Sequence, residues 1–233
     1  MLTRAYKVWK ADLENFLLRL TGGQHQNSLE IAHPATEDEI KTIEQQLGKL
    51  IPLDFRHVLL HFSKHLHFYW FLNNITYPIT QQSNYIDKTF FNMGNVDQRI
   101  IDCGGIFDSP LWSIQNLLSY ENDRETYEFL DDDDAFEKKY WENCLLFTSF
   151  GNGSYLGIDL KYNVGEIIYL TTSYHMHGLR LGGNFYKFFN NWIKLGCAGH
   201  WGEDFYLFST KDKPYVNEQS VNATGWKKWI GII

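Results

Sequence analysis

Residues 145–170 have the sequence LLFTSFGNGSYLGIDLKYNVGEIIYL, and this stretch decides the fold. Three runs rich in aromatic and β-branched residues are separated by short turns that contain glycine, a pattern typical of consecutive antiparallel strands. We therefore predict adjacent strands at Leu145–Phe150, Tyr155–Leu160 and Glu166–Leu170. Asn152-Gly153 predicts a type I′ turn between the first two strands, because both residue types tolerate positive φ.

Two helices are predicted earlier in the chain. Thr36 and Glu39 form a capping box at the start of the first helix, and Gly48 ends it. Pro52 fits the first turn of the next helix, where its missing N–H costs nothing. We expect the apolar face of that helix to run from Phe55 to Leu66.

The remaining segments give weaker signals. Apolar spacing predicts an amphipathic helix at Leu2–Leu20, packed on its own domain, and a short helix from Phe185 to Leu195 with Asn184 as its cap. We also expect a strand at Leu66–Leu72, a long loop at Asn73–Asn95 and a helix near Ser113–Leu118. The tail after Lys211 receives no assignment.

The negative charge of the chain is concentrated in one segment. Glu121–Glu142 contains ten acidic and three basic residues, whereas the rest of the chain contains 18 of each. The acidic segment therefore carries the whole net charge of −7. This argues against nucleic-acid binding, which needs clustered positive charge, and favours a basic protein partner.

Cysteine usage and the N-terminal sequence indicate a cytoplasmic protein. The three cysteines are odd in number and far apart, which fits neither a disulfide framework nor a zinc site. Charged residues interrupt the N-terminal helix, so we expect no signal peptide, and no apolar run is long enough to cross a membrane.

Three histidines raise the question of a metal site. His57, His61 and His65 follow one another at four-residue spacing on the second predicted helix. The acidic residue of an H-E-x-x-H motif is missing, and we expect an exposed, solvated face without metal. Catalytic serine, dinucleotide and paired-carboxylate motifs are also missing from the sequence, which favours a non-enzymatic protein without cofactor.

In order along the chain, these elements resemble the SUKH superfamily, which includes the fungal Smi/Knr cell-wall regulators and bacterial toxin-immunity proteins. The resemblance extends from about Thr36 to Phe208. It rests on the capped helix, the Ile51-Pro52-Leu53-Asp54-Phe55 start of the next helix, the central hairpin and the Phe185-x-x-Phe188 ending.

The resemblance implies an α+β fold, with a bent antiparallel sheet packed against helices, and a non-enzymatic function. We expect an N-terminal helix and linker at 1–35, the Smi/Knr-like domain at 36–210 and a tail at 211–233. The implied function is an immunity protein that binds and neutralises a cognate toxin. The alternative is a cytosolic scaffold of the Smi/Knr regulator type without a toxin partner.

The acidic segment is the predicted partner-binding site. Its charges are expected to attract a basic partner, which aromatic side chains nearby would then contact. The candidate residues are Asp131, Asp132, Asp133, Asp134, Glu137 and Tyr127.

Overall fold

The computed structural model of the protein describes residues 2–20, 25–72, 101, 103–126, 135–162, 164–171, 177–199, 203–209 and 215–233. It has an α+β fold with two antiparallel sheets. The helices are α1 (Leu2–Arg19), α2 (Glu37–Leu47), α3 (Leu53–His61), α4 (Asn116–Thr126), α5 (Ala135–Glu142), α6 (Phe185–Trp192), α7 (Glu203–Leu207) and α8 (Val221–Trp229). The strands are β1 (His25–Ile31), β2 (His65–Leu72), β3 (Cys103–Gly105), β4 (Trp112–Ser113), β5 (Cys144–Ser149), β6 (Tyr155–Asp159), β7 (Ile167–Leu170) and β8 (Leu179–Gly182). In the first sheet, β2 pairs with β1, β3 and β4, and the second sheet contains β5–β8.

The second sheet confirms the three predicted strands. Its order is β5-β6-β7-β8, and all neighbouring strands are antiparallel. Leu145 lies opposite Ile158, and Leu156 lies opposite Tyr169. The fourth strand, β8, was not predicted, because its four residues are too few for a clear alternation pattern.

The turn between β5 and β6 differs from the predicted type I′ turn. Gly151 and Gly153 have positive φ values of 75° and 82°, whereas Asn152 does not have a positive φ. The Asn152 side chain instead accepts a hydrogen bond from the backbone N–H of Ser154 at 3.0 Å. The prediction of a two-residue turn was wrong because glycine on both sides of Asn152 permits a longer loop, which the asparagine side chain stabilises.

The predicted start and end of the helix with the capping box are confirmed in α2. Thr36 and Glu39 form both hydrogen bonds of the capping box, and Gly48 ends the helix in the left-handed conformation. Pro52 is the residue that precedes α3, one position earlier than predicted. These boundaries were predictable because each depends on residues within one helical turn.

Helix α3 ends earlier than predicted, at His61, so Leu66 and His65 belong to strand β2. Leu66 pairs with Ile31 of β1, and the Ser63 hydroxyl donates to the carbonyl of Ala32 at 2.9 Å. Strand β1 itself was missed in the sequence, where its region was assigned to a linker. Pairing along all seven residues of β1 provides hydrogen bonds that a longer α3 would lose.

A network of aromatic rings forms the centre of the core. Trp112 on β4 contacts Phe55 of α3 and both Phe185 and Phe189 of α6, with ring centroids 4.9–6.3 Å apart. Phe55 also contacts Phe147 of β5 at 5.5 Å. The core therefore joins both sheets to α3 and α6 through edge-to-face and tilted contacts, which aromatic rings favour.

The other face of the second sheet is covered by α4 and α5. A separate cluster of buried side chains lies there, formed by Tyr120, Tyr140, Trp141, Cys144, Leu146, Ile168 and Leu170. Helix α4 begins at Asn116, three residues later than the predicted start, because Ser113 pairs with β2. The described parts of the acidic segment are thus helical and form an outer layer of the protein.

Helices α1 and α8, which lie outside the region that resembles the SUKH superfamily, both pack on the core. Trp9 of α1 is fully buried and contacts Phe62 and Phe189, which confirms that the amphipathic helix packs on its own domain. Trp226 of α8 contacts Phe16 and Trp70. The division of the chain at residues 36 and 210 stays a prediction. In the described ranges, no helix combines the length and the apolar composition that a membrane span requires.

We expect Trp226→Ala to lower the free energy of unfolding by about 3–5 kcal/mol, because it leaves a large cavity and removes the indole hydrogen bond to the carbonyl of Ile101. Urea denaturation measures this change. The control is Val221→Ala on the same helix, where the side chain is 76% exposed and the expected effect is below about 0.5 kcal/mol. Equal effects of the two substitutions would contradict the packing of α8.

Candidate protein-binding site

A groove of about 720 Å³ lies where three connecting segments meet. One wall is the linker between α2 and α3 together with the start of α3, residues 49–55. The second is the end of β6 and the turn that follows it, and the third is the junction of β8 and α6. The buried rings of Phe55 and Phe185 also line the groove, so its base belongs to the aromatic core.

Three large aliphatic side chains line this groove and are exposed to solvent. Leu50 is 76% exposed, Leu53 is 83% exposed and Val164 is 71% exposed. Single exposed apolar residues are common on protein surfaces, but several around one concavity are typical of an interaction site. The groove therefore has the shape and the apolar surface to receive a side chain of a partner.

The linker that carries Leu50 and the start of α3 at Leu53 are held in place by contacts with α2. The backbone N–H of Ile51 donates to Glu44 Oε1 at 3.1 Å, and Arg56 pairs with both Glu37 and Glu44. Ile51 is buried, whereas Leu50 and Leu53 on either side of it are exposed to solvent. An ordered linker can bind a partner without first losing conformational entropy.

The groove is connected to the acidic segment at Lys49. The Lys49 ammonium lies 2.5 Å from Glu121 Oε1, and the Arg124 guanidinium binds the same oxygen. Burial raises the pKa of Glu121, but hydrogen bonds from Arg124 and Lys49 outweigh this effect, and the pKa lies below its ordinary value. Glu121 is therefore a structural carboxylate, which joins α4 to the linker.

A second connection involves the turn after β6. Lys139 of α5 has its Nζ 4.2 Å from the centre of the Tyr162 ring, in the turn that also carries Val164. Near the base of this turn, the backbone N–H of Leu160 donates to the carbonyl of Asn143. The described ends of the acidic segment thus contact two of the segments that form the groove, at Lys49 and at the turn after β6.

Most of the predicted site residues, namely Tyr127 and Asp131–Asp134, lie outside the described residues. Glu137 is part of α5, but its side chain also lies outside the described part of the protein. Of the described acidic residues, Asp54 lines the groove and Glu121 contacts Lys49 in its wall.

Sequence reasoning missed Leu50, Leu53 and Val164 as surface residues. A signal was present on α3, where Leu53 is aligned at helical spacing with His57 rather than with the buried stripe of Phe55 and Val58. Leu50 and Val164 had no such signal, because both lie in irregular segments. Their position at one groove depends on the tertiary fold.

The prediction that His57, His61 and His65 share one face of a helix is wrong. Only His57 and His61 share α3, whereas His65 lies on β2. His57 is partly buried, and its Nδ1 atom is hydrogen-bonded to the Tyr6 hydroxyl of α1. Burial and the neighbouring His61 lower the pKa of His57, which favours its neutral form. Within the described ranges, no group of three or more metal-ligating side chains has the geometry of a metal site.

The three cysteines are free thiols. Cys144 and Cys197 are buried, and burial raises the pKa of both thiols. Cys103 is partly exposed. Since a thiolate is the reactive form of cysteine, the two buried thiols are inert.

Residues 34–195 match the family model of the SMI1/KNR4 family (SUKH-1). The chain belongs to this family. The resemblance to the SUKH superfamily is thereby confirmed, together with the α+β fold. No curated protein has a significant match to the chain.

The SUKH-1 match contains the whole groove, from Lys49 to Phe185. SUKH proteins are generally non-catalytic and are commonly immunity proteins. Helices α1 and α8 lie outside the matched range and both pack on the core. The groove is therefore a feature of the SUKH-1 part of the chain.

We expect Glu121→Gln to lower the free energy of unfolding by about 1–3 kcal/mol at pH 7, because Lys49 and Arg124 lose their shared anionic partner. The pKa of Glu121 is lowered on folding, so its contribution is complete above the unfolded pKa of about 4.3. It is lost as the pH falls through the folded pKa.

Urea denaturation of both proteins from pH 7 to about pH 3 measures this contribution. The difference between the wild type and Glu121→Gln should shrink in acid. Glu125→Gln is the control, because Glu125 also faces Arg124, at 3.5 Å, but is 65% exposed. A difference that does not change with pH would contradict the assigned role of the Glu121 carboxylate.

Proposed function

We propose that this SUKH-1 protein is an immunity protein that binds and neutralises a cognate toxin in the cytoplasm. The observation that carries the proposal is the groove with three exposed aliphatic side chains within the SUKH-1 match. Family membership supports a protein partner, and the net charge of the acidic segment supports a basic one. Binding requires neither cofactor nor metal, and no enzymatic activity is proposed.

The second candidate function is a cytosolic regulatory scaffold of the Smi/Knr type. It is supported by the same family membership, since the family includes proteins of both kinds. The two candidates differ in the partner, because only an immunity protein protects a cell from a toxin. A toxin gene beside the gene for this chain would favour the first.

The proposal is tested in a sensitive host that expresses a toxin encoded next to the gene for this chain, with and without this chain. We expect co-expression to restore growth and the two purified proteins to form a stoichiometric complex. An unrelated SUKH-1 protein is the control for specificity. Growth arrest despite full expression of this chain would contradict the immunity function and favour the scaffold.

The acidic segment generates a prediction about association rate. We propose that Asp131–Asp134 attract the basic partner, so replacing all four by asparagine should slow association about 3- to 10-fold at low salt. The salt dependence of the rate should also become weaker, while dissociation and folding stability change little. Stopped-flow mixing at low and high ionic strength measures these rates.

The control removes the same charge elsewhere, through Glu14→Gln, Glu30→Gln, Asp38→Asn and Asp108→Asn. These four side chains are exposed and lie outside the acidic segment. If steering comes from the acidic segment, this variant should associate almost as fast as the wild type. Equal rates for the wild type and the Asp131–Asp134 variant at low salt would contradict the steering role.

A further inference from the structure

The groove has a defined chemical character. Leu50 and Leu53 on one wall and Val164 on another supply exposed aliphatic surface, and the base consists of aromatic core residues. A partner that inserts an apolar side chain there removes aliphatic surface of both molecules from water. Burial of an anchor side chain in a preformed pocket is typical of interface hot spots.

Two charged residues line the groove, and their environments differ. Lys49 is engaged by Glu121, so its positive charge is balanced within the protein. Asp54 is exposed and forms no ion pair with any residue in the described ranges. The negative charge of Asp54 is thus available to a ligand, and it lies next to Leu53 in the first turn of α3.

The net charge of the chain also favours a basic ligand. The Glu121 carboxylate beside the groove is engaged by Lys49 and Arg124, so the attraction comes from Asp54 and from the net charge of −7 of the whole chain. A second copy of this chain would bring the same net charge towards the first. Repulsion between like charges disfavours a homodimer at this surface and equally disfavours an anionic membrane.

We propose that the groove binds a basic segment of the partner protein, with one apolar side chain inserted between Leu50, Leu53 and Val164. A lysine or arginine next to that anchor pairs with Asp54. The inference rests on the proposed protein-binding function and identifies the surface and the chemistry of its ligand. Contacts in the groove mainly set the rate of dissociation, and the charge of the acidic segment increases the rate of association.

Short random peptides displayed on phage are the probe for this proposal. Selection on the full-length protein should enrich peptides in which leucine, phenylalanine or tryptophan is flanked by lysine or arginine. The enriched peptides are then synthesised, and their affinities are measured by fluorescence anisotropy. Failure to enrich any peptide that depends on the groove, or enrichment of acidic peptides, would overturn the proposal.

Substitutions at the groove locate the bound peptide. Leu53→Lys and Val164→Lys should each weaken binding at least tenfold, because each removes an apolar contact and repels the basic peptide. Asp54→Asn should weaken binding about threefold and reduce its salt dependence. Circular dichroism and urea denaturation show whether each variant is folded, and Leu53→Ala and Val164→Ala test the apolar contact without an added charge.

Matched controls come from exposed aliphatic residues on other helices. Leu18 on α1 is 79% exposed, and Val221 on α8 is also largely exposed. Leu18→Lys and Val221→Lys should change peptide affinity less than twofold. Peptides that bind the groove variants and the controls equally well would place the binding surface elsewhere. Sedimentation that shows a dimer disrupted by Leu53→Lys would assign the groove to a second copy of this chain and overturn the proposal.

The same variants in the toxin-protection assay separate this inference from the proposed function. If the wild type and Leu53→Lys protect cells equally well, the immunity function stands and the groove is not its binding surface. If the wild type does not protect but basic peptides bind the groove, the immunity function fails and the groove proposal stands. If both inferences hold, Leu53→Lys loses protection and Leu18→Lys keeps it.

Discussion

The contact between Phe55 and Trp112 is the interaction on which the rest of the structure depends. Phe55 joins α3 to the second sheet through Phe147, and Trp112 joins the first sheet to α6 through Phe189. The Trp112 indole N–H donates to the carbonyl of Ser63, where the chain passes from α3 to β2. Two sheets and two helices are therefore fixed relative to one another by one cluster of rings, whose dense packing tolerates little displacement.

The groove is a consequence of this arrangement. Since Phe55 and Phe185 contact each other at 4.7 Å, the starts of α3 and α6 lie side by side. The linker before α3 and the turn after β6 reach this point from different directions and leave a concavity between them. Ile51 occupies the core, which directs Leu50 and Leu53 outwards. Packing of the core thus determines the shape of the surface that we propose for the partner.

The acidic segment occupies a different layer. Its described helices, α4 and α5, cover the outer face of the second sheet through a separate cluster that includes Trp141 and Ile168. Glu121 is used internally, since it joins α4 to Lys49. Different acidic residues of this segment therefore have different roles. Glu121 stabilises the packing of α4, whereas we propose that Asp131–Asp134 attract the partner.

The sequence by itself determined the elements whose signals are local. The capping box of α2, the left-handed Gly48, the Asn184 cap and the three strands from β5 to β7 depend on residues close in the chain. Only the tertiary structure decided that His65 belongs to a strand, that β1 exists and that α8 packs on the core. Each of these depends on partners far away in sequence, such as Ile31 opposite Leu66. The groove also depends on the tertiary structure, because Leu53 and Val164 come to line one concavity only when both segments fold around one core.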